Sequence, residues 1–344
     1  MRSNFQCELI NGPFGDPGLL VDFKFERRAL LFDVGDLGAL PTRKILRISD
    51  VFVTHAHMDH FAGFDRFLRV ALGRDRGVRL FGPPQFIDRV GHKLAAYTWN
   101  LVDTYETDFV VTVTEIDLDW NTRTARFRSR RRFEREDFPA GRVPDGRLLT
   151  EPSFSIDAGF LDHRIPVLAF ALQESTHINV LKNRLIEAGL PTGPWLTKLK
   201  TLVRDGAPPD TPVEVRWRDR GGPRFRTLSL GELRDRVLEF VPGEKICYVT
   251  DVAYEPANVD RIVALARGAD RLYIECVFLD ADRDHAQRKA HLTARQAGSI
   301  AAASGARIVV PFHFSPRYLG QEAQLRAEFE VARGEGNEHR RIEP

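Results

Sequence analysis

At 344 residues, 43% hydrophobic and 28% charged, the chain can bury one large core or two ordinary ones, and it reads as a soluble globular protein. A formal net charge of only +2 excludes a global field that would commit it to nucleic acid, so polyanion recognition must rest on local patches. Cys7, Cys247 and Cys276 lie far apart without a CxxC pair, which excludes a disulfide framework and a thiolate zinc site and fits a reducing, cytoplasmic setting.

Residues 1–8 lack the apolar core of a signal peptide, and no apolar run approaches the ~20 residues that span a bilayer, so no membrane partner is expected. Strands are predicted at 18–23 and 29–34, closed by a turn at Gly35 and Asp36. Asp33, at the end of the second strand, reads either as an ordinary turn residue or as an acceptor for a ligating imidazole. Residues 49–53 form the next strand, and Thr54-His55-Ala56-His57-Met58-Asp59-His60 follows it directly.

That run carries the strongest chemical signal in the chain. Three imidazoles and a carboxylate within six residues suit zinc or a similar borderline cation. One tetrahedral ion would not need all four groups in so short a stretch. His55 and His57 set against Asp59 and His60 point instead to two adjacent ions. The plain alternative is a His-rich surface loop.

Helices are expected at 64–71 and 85–95, the second with Arg89 and Lys93 on its polar side, and strands near 109–116, 124–129, 153–157 and 167–173. Residues 174–245 are looser, with two helix-like stretches, the turn Pro191-Thr192-Gly193-Pro194, and Pro and Gly at 205–209. This region reads as an arm or insertion within a single domain spanning 1–344, because its apolar content is thin. From Lys245 the pattern recovers as strand 246–250, helix 259–266, strand 272–276, helix 294–304 and strand 307–311. Such alternation implies an α/β fold with helices covering sheet faces. Residues 334–344 read as a solvated tail.

Two ions need more ligands, sought at other strand ends. His163, Asp251, His291 and His313 occupy such positions, and Asp251 could bridge. Each alone has a dull reading as a turn or cap residue. Of the ten histidines, His92, His177, His285 and His339 fall elsewhere and read as surface residues.

With these motifs assembled, the chain resembles the metallo-β-lactamase superfamily, and within it ribonuclease Z. The 161–170 segment around His163, the Gly-Pro stretch 188–200, His291-Leu292-Thr293, and Pro311-Phe312-His313-Phe314-Ser315-Pro316-Arg317 are each similar to motifs of that family, in the right order. The resemblance implies an αββα sandwich with a short inserted arm. It implies two Zn2+ per chain, or Mn2+ or another divalent ion, one held by His55, His57 and His163 and the other by Asp59, His60 and His313, with Asp251 bridging. It also implies metal-hydroxide attack on a phosphodiester of a tRNA precursor, leaving a 3′-hydroxyl and a 5′-phosphate. Asp59 would orient the water, and His291, held by Glu275, would protonate the leaving oxygen. Lys198 and Lys200 resemble residues that grip tRNA, and Arg317, which follows the last ligand, reads either as a contact to a substrate phosphate or as the partner of a local carboxylate. A homodimer is implied as well.

The chain departs from the family at Asn11-Gly12-Pro13-Phe14-Gly15, at Thr250-Asp251-Val252 and at Ile274-Glu275-Cys276-Val277, and the arm is short. These departures support a second reading, a related hydrolase acting on a small phosphodiester, lactone or thioester. A non-catalytic RNA-binding relative is a third, opposed by the full ligand set. Arg126-Phe127-Arg128-Ser129-Arg130-Arg131-Arg132-Phe133 reads as an RNA-facing patch or as a salt-bridged hairpin, since Glu134, Glu136 and Asp137 follow at once.

Overall fold

Apolar runs that alternate in register build the first sheet, and the computed structural model, which describes residues 4–219 and 222–342, shows its strands in chain order. They are Phe5–Leu9, Leu19–Phe23, Ala29–Phe32, Ile48–Phe52, Gly77–Gly82, Val110–Ile116, Asn121–Arg128 and Arg135–Arg142. The third to sixth run parallel to one another. A second sheet runs in the order Ile308–Phe312, Arg271–Glu275, Lys245–Val249, Pro166–Glu174, Phe154–Asp162 and Arg147–Thr150, its first three strands parallel.

Alternation sorts the side chains into layers. Leu31, Val51 and Val53 join Phe64, Phe67, Leu68 and Ala71 in one core. The spacing of the last four, i, i+3, i+4 and i+7, lays one face of helix Phe64–Ala71 on the sheet. Cys247, Val249, Leu272 and Ile274 pack in the same way against Ile262, Ala297 and Ala301 of helices Pro256–Ala266 and Ala294–Ser304. The opposite strand faces meet each other through aromatic rings: Phe170 lies 5.7 Å from both Phe32 and Phe52, and Tyr248 lies 5.9 Å from Phe32. Helix, sheet, sheet and helix therefore follow in turn.

Helix Ala294–Ser304 starts on a capping box, Thr293 accepting from the Gln296 backbone and Gln296 accepting in return, and stops at Gly305 in the left-handed region. Helix Glu322–Ile342 packs across it. Gly298 permits the approach, because a Cβ there would stand 2.3 Å from the Phe329 carbonyl oxygen. The tail expected from residue 334 onward is therefore helical as far as 342, and Gly336 in it also meets Ala302. Other bounds shift by one to five residues, and strands Phe5–Leu9, Gly77–Gly82, Arg135–Arg142 and Arg147–Thr150 were not foreseen.

The chain divides into two compact units, and all of the preceding core lies in the one formed by residues up to 149, 156–172 and from 245 onward. The other comprises 150–155 and 173–244. It has helices Lys182–Glu187, Trp195–Arg204 and Leu230–Val237, a pair of strands His177–Val180 and Leu238–Val241, and the hairpin Pro212–Asp219 with Gly222–Ser229. Ile178, Leu185, Trp195, Leu199, Val213, Val215 and Leu233 form its own core. Thin apolar content does not prevent a separate core here. The apolar residues are few but correctly phased, Val213 and Val215 on one face of a strand and Trp195 and Leu199 on one face of a helix.

Among the described residues no helix is long and apolar enough to cross a membrane. The basic run at 126–133 forms a salt-bridged hairpin. Arg128 pairs with Asp108, Arg132 with Asp103, and Arg135 with Asp88 and Asp137.

Candidate metal centre

Parallel strands expose their carboxyl ends along one edge, and in open α/β sheets that edge is where ligands bind. Here Asp33 follows Ala29–Phe32, and His55 and His57 follow Ile48–Phe52. Asp251 follows Lys245–Val249, Glu275 ends Arg271–Glu275, and His313 follows Ile308–Phe312. His163 sits in the tight turn between Phe154–Asp162 and Pro166–Glu174, and Asp59 and His60 lie on the single helical turn Met58–Phe61. All belong to one unit.

The metal loop is pinned from behind by close backbone packing. A Cβ on Gly63 would stand 1.9 Å from the Gly35 carbonyl oxygen, and one on Gly35 would stand 2.5 Å from the Asp59 carbonyl oxygen. Asp33, Asp251 and His313 all take left-handed backbone, with φ of 54°, 51° and 58°. Non-glycine residues hold that conformation at a cost of about 1–2 kcal/mol each, and such strain clusters at functional sites.

Ligand atoms converge in three overlapping groups. His55, His57, His163 and Asp251 form one, Asp59, His60 and His313 a second, and Asp251, Glu275, His291 and His313 a third. Asp251 faces the first two with different oxygens. Its Oδ2 lies 3.4 Å from His55 Nε2 and 3.6 Å from His163 Nε2. Its Oδ1 lies 3.4 Å from His60 Nε2 and 3.0 Å from His313 Nδ1. Asp59 Oδ2 closes the second group at 3.5 Å from His60 Nε2 and 3.4 Å from His313 Nε2.

Fit to a metal is tested by the atoms left without partners. His55 Nε2 and His60 Nε2 are buried and make no hydrogen bond, which costs free energy unless a cation completes them. Their other ring nitrogens are occupied. His60 Nδ1 meets Asp33 at 2.8 Å, His55 Nδ1 meets Thr54 Oγ1 at 3.0 Å, and His163 Nδ1 donates to the Ala290 carbonyl at 2.8 Å. Each bond holds an Nε2 toward the cluster, the arrangement that metal-ligating imidazoles require. The residues present therefore fit divalent cations.

Asp33, foreseen as a turn residue or an acceptor, is the acceptor. Fully buried, it also takes hydrogen bonds from the Thr54 amide and hydroxyl and from the Tyr248 hydroxyl. Tyr248 had no sequence signal, being one aromatic in an apolar strand.

Electrostatics follow from burial among opposite charges. Burial opposes the charge on Asp251, yet His60 and His313 outweigh it and hold the carboxyl well below the usual range. Asp59 follows the same pattern, burial being overcome by the neighbouring His313 and His60. His57 is lowered to about 4 by burial and by the neighbouring His55, so it is neutral and free to coordinate. Charged carboxylates this buried require cations beside them, either imidazolium or metal.

Glu275 and His291 form a separate pair at 3.0 Å, Oε2 to Nδ1. Glu275 is fully buried and accepts from the amides of Asp251, Val252 and Leu292 as well, so one carboxylate ties the bridging residue to the His291 loop. Burial works against its charge, but His291 holds it down to about 2. His291 is raised in return: burial lowers it and Glu275 more than restores it. Its Nε2 points away from the carboxylate, and its ring lies 4.8 Å from His163 and 5.7 Å from His313.

A cleft of about 510 Å³ opens on these groups, lined by His57, Asp59, Asp251, His291 and His313. Arg317 lines it as well and pairs with Asp282 at 3.5 Å. His285, expected as a surface residue, lines the cleft too, its ring 5.1 Å from Phe278, with Lys289 one helical turn later. The i, i+4 spacing on helix Arg283–Lys289 was the available signal. His92 is exposed, while the side chains of His177 and His339 lie outside the described residues. Lys198 and Lys200 sit on helix Trp195–Arg204 of the other unit, Lys198 exposed and Lys200 half-buried.

No protein-family model matches the chain. Among solved structures, human tRNase Z, short form, matches with a TM-score of 0.51 at 19% identity, over 92% of each chain. The metallo-β-lactamase fold protein YhfI from Bacillus subtilis matches at 0.51 and 17% identity, over 94% of this chain and 91% of its own. With this fold and cluster, the protein is a metal-dependent hydrolase of the metallo-β-lactamase fold. Ribonuclease Z from Deinococcus radiodurans is 33% identical over 293 residues, 84% of this chain and 83% of that protein. The chain belongs to the ribonuclease Z family.

Proposed function

We propose that the protein is a zinc-dependent endoribonuclease that removes 3′ trailers from tRNA precursors, leaving a 3′-hydroxyl on the tRNA and a 5′-phosphate on the trailer. The observation that carries this reading is Asp251, one oxygen toward each ligand group, beside the Glu275–His291 pair. His55, His57 and His163 would hold one cation, Asp59, His60 and His313 a second, with Asp251 between them. Zn2+ suits this nitrogen-rich set, and Mn2+ is the next candidate. Such a pair supplies an acidified water and a clamp for the phosphate oxygens.

The chain's own groups do the rest. Asp59 is the most open carboxylate of the set, at 42% side-chain exposure, and orients the attacking water by accepting its hydrogen bond. His291 donates the Nε2 proton to the departing 3′-oxygen. Glu275 keeps that imidazole charged and in one tautomer, as a catalytic acid needs near neutral pH. Lys198, Lys200 and Arg317 serve as phosphate contacts, and the working form is a homodimer. Three cysteines without disulfide partners support a cytoplasmic setting.

The test is cleavage of a labelled precursor tRNA carrying a 3′ trailer, beside a chromogenic phosphodiester, by wild type and Asp251→Ala. Trailer removal at one site, lost in the variant, supports the reading. Hydrolysis of the small ester alone would replace it with the small-phosphodiester alternative.

A further inference from the structure

His291 is a wall between two spaces. On one side lies the metal cleft. On the other is a cavity of about 610 Å³, lined by His291 together with Arg164, Tyr254, Arg283, Gln287 and Arg295. The size suits a small organic ligand, and the lining joins one aromatic ring and three guanidinium groups to two carboxylates, Asp162 and Glu255.

Two of those arginines are already neutralised. Arg283 binds Asp280 through both Nε and Nη2, and Arg295 Nη2 meets Glu335 at 3.1 Å. Arg164 differs. It directly follows the ligand His163, in left-handed backbone at φ 62°, and its guanidinium meets only the Gln287 carbonyl oxygen, at 3.3 Å. No carboxylate pairs with it among the described residues. Tyr254, which follows Asp251 by three positions, is 46% exposed, and its ring stacks on no aromatic neighbour among the described residues.

Geometry ties this cavity to the reaction. In the cleavage proposed above, on which this inference rests, the oxygen that accepts the His291 proton is the 3′-oxygen of the nucleoside upstream of the scissile phosphate. That nucleoside must therefore lie on the His291 side of the metal cleft. We propose that the cavity binds it, with Tyr254 as the platform for its base and Arg164 as the cation for its own 5′-phosphate. Base stacking on a tyrosine is tolerant of sequence, and a guanidinium grips phosphate in two-point geometry.

The test is a cycle between protein and substrate. Kinetics are measured on a precursor tRNA and on the same RNA with an abasic residue immediately upstream of the scissile bond, using wild type, Tyr254→Ala and Arg164→Ala. The chromogenic diester and thermal melting monitor the metal site and the fold. Relative to diester hydrolysis, Tyr254→Ala should lower kcat/KM on intact RNA on the order of tenfold, and wild type should lose a similar factor on the abasic RNA. The two losses should not add when combined. Arg164→Ala should weaken intact and abasic RNA alike and flatten the salt dependence of KM.

Intact and abasic RNA cleaved equally by wild type, or additive losses in the cycle, would overturn the subsite while leaving the endoribonuclease reading in place. Wild-type protein that hydrolyses the diester and no RNA would overturn that reading, and the subsite with it.

Discussion

The two units of the molecule spend their buried positions differently. The larger one buries Asp33, His55, His60, Asp251 and Glu275 at the carboxyl ends of its strands. The smaller one builds its core from Ile178, Trp195, Leu199, Val213 and Leu233. Burying a charge is costly unless it is paired or bound to a metal. A polar cluster of that size is therefore held in place by the sheets, by left-handed backbone at three strand ends and by the glycine contacts behind the loop. An apolar core needs only volume and phase. The first arrangement tolerates few substitutions and reads as chemistry; the second tolerates many and reads as scaffold.

That contrast can be broken or sharpened by substitution. The largest effect is expected for Asp251→Ala, which removes the carboxylate shared by both ligand groups. Cleavage should fall by more than about 100-fold, beyond what loss of a supporting residue costs, and bound metal should fall with it. His291→Ala should slow RNA cleavage by roughly 100-fold while metal content stays unchanged. Loss of metal in that variant would make His291 a ligand and overturn its role as acid.

Asp33→Asn keeps the shape and removes the charge behind His60. Metal affinity, measured by competition with a chelator, should drop by about 10–100-fold. Glu275→Gln tests the acid through pH. With Glu275 charged, the His291 pKa lies above its ordinary value. In the proposed mechanism the protonated form is the active one, so activity should be present below that pKa and decline as pH rises through it. Removing the carboxylate charge lowers the pKa, and the alkaline limb of kcat/KM should move to lower pH. An unmoved limb would separate Glu275 from the proton donor. Leu199→Ala, in the other core, should destabilise its unit by about 2–5 kcal/mol with no change in metal per chain, since all the proposed ligands lie in the larger unit.

Legibility in the sequence followed the same division. The candidate metal cluster could be read because four groups able to ligate sit within six residues and the others mark strand ends. The Asp33 contact was visible as one of two readings of an acid at a strand end, whereas the Glu275 contact came from the family resemblance. His285 was missed: its i, i+4 spacing to Lys289 puts the two on one helix face, but nothing in a basic helix says that this face lines the cleft until the fold turns it there. Strand Gly77–Gly82 was overlooked because Arg79 interrupts its apolar run, a charge that the structure explains by its bond to buried Asp50. The hairpin Pro212–Asp219 with Gly222–Ser229 hid behind its arginines, because among its described residues Val213 and Val215 are buried while Trp217 and Leu228 pack half-buried beside them. The long C-terminal helix was obscured by glycines at 334 and 336, and at Gly336 the lack of a side chain lets the helix pass close to Ala302.

The most direct test of the account is the metal count of protein purified in zinc, by inductively coupled plasma mass spectrometry, for wild type beside Asp251→Ala. Two ligand groups joined by one carboxylate predict about two ions per wild-type chain and a clear loss in the variant. One ion per chain, or a count unchanged by Asp251→Ala, would contradict the bridged two-ion centre on which the proposed chemistry depends.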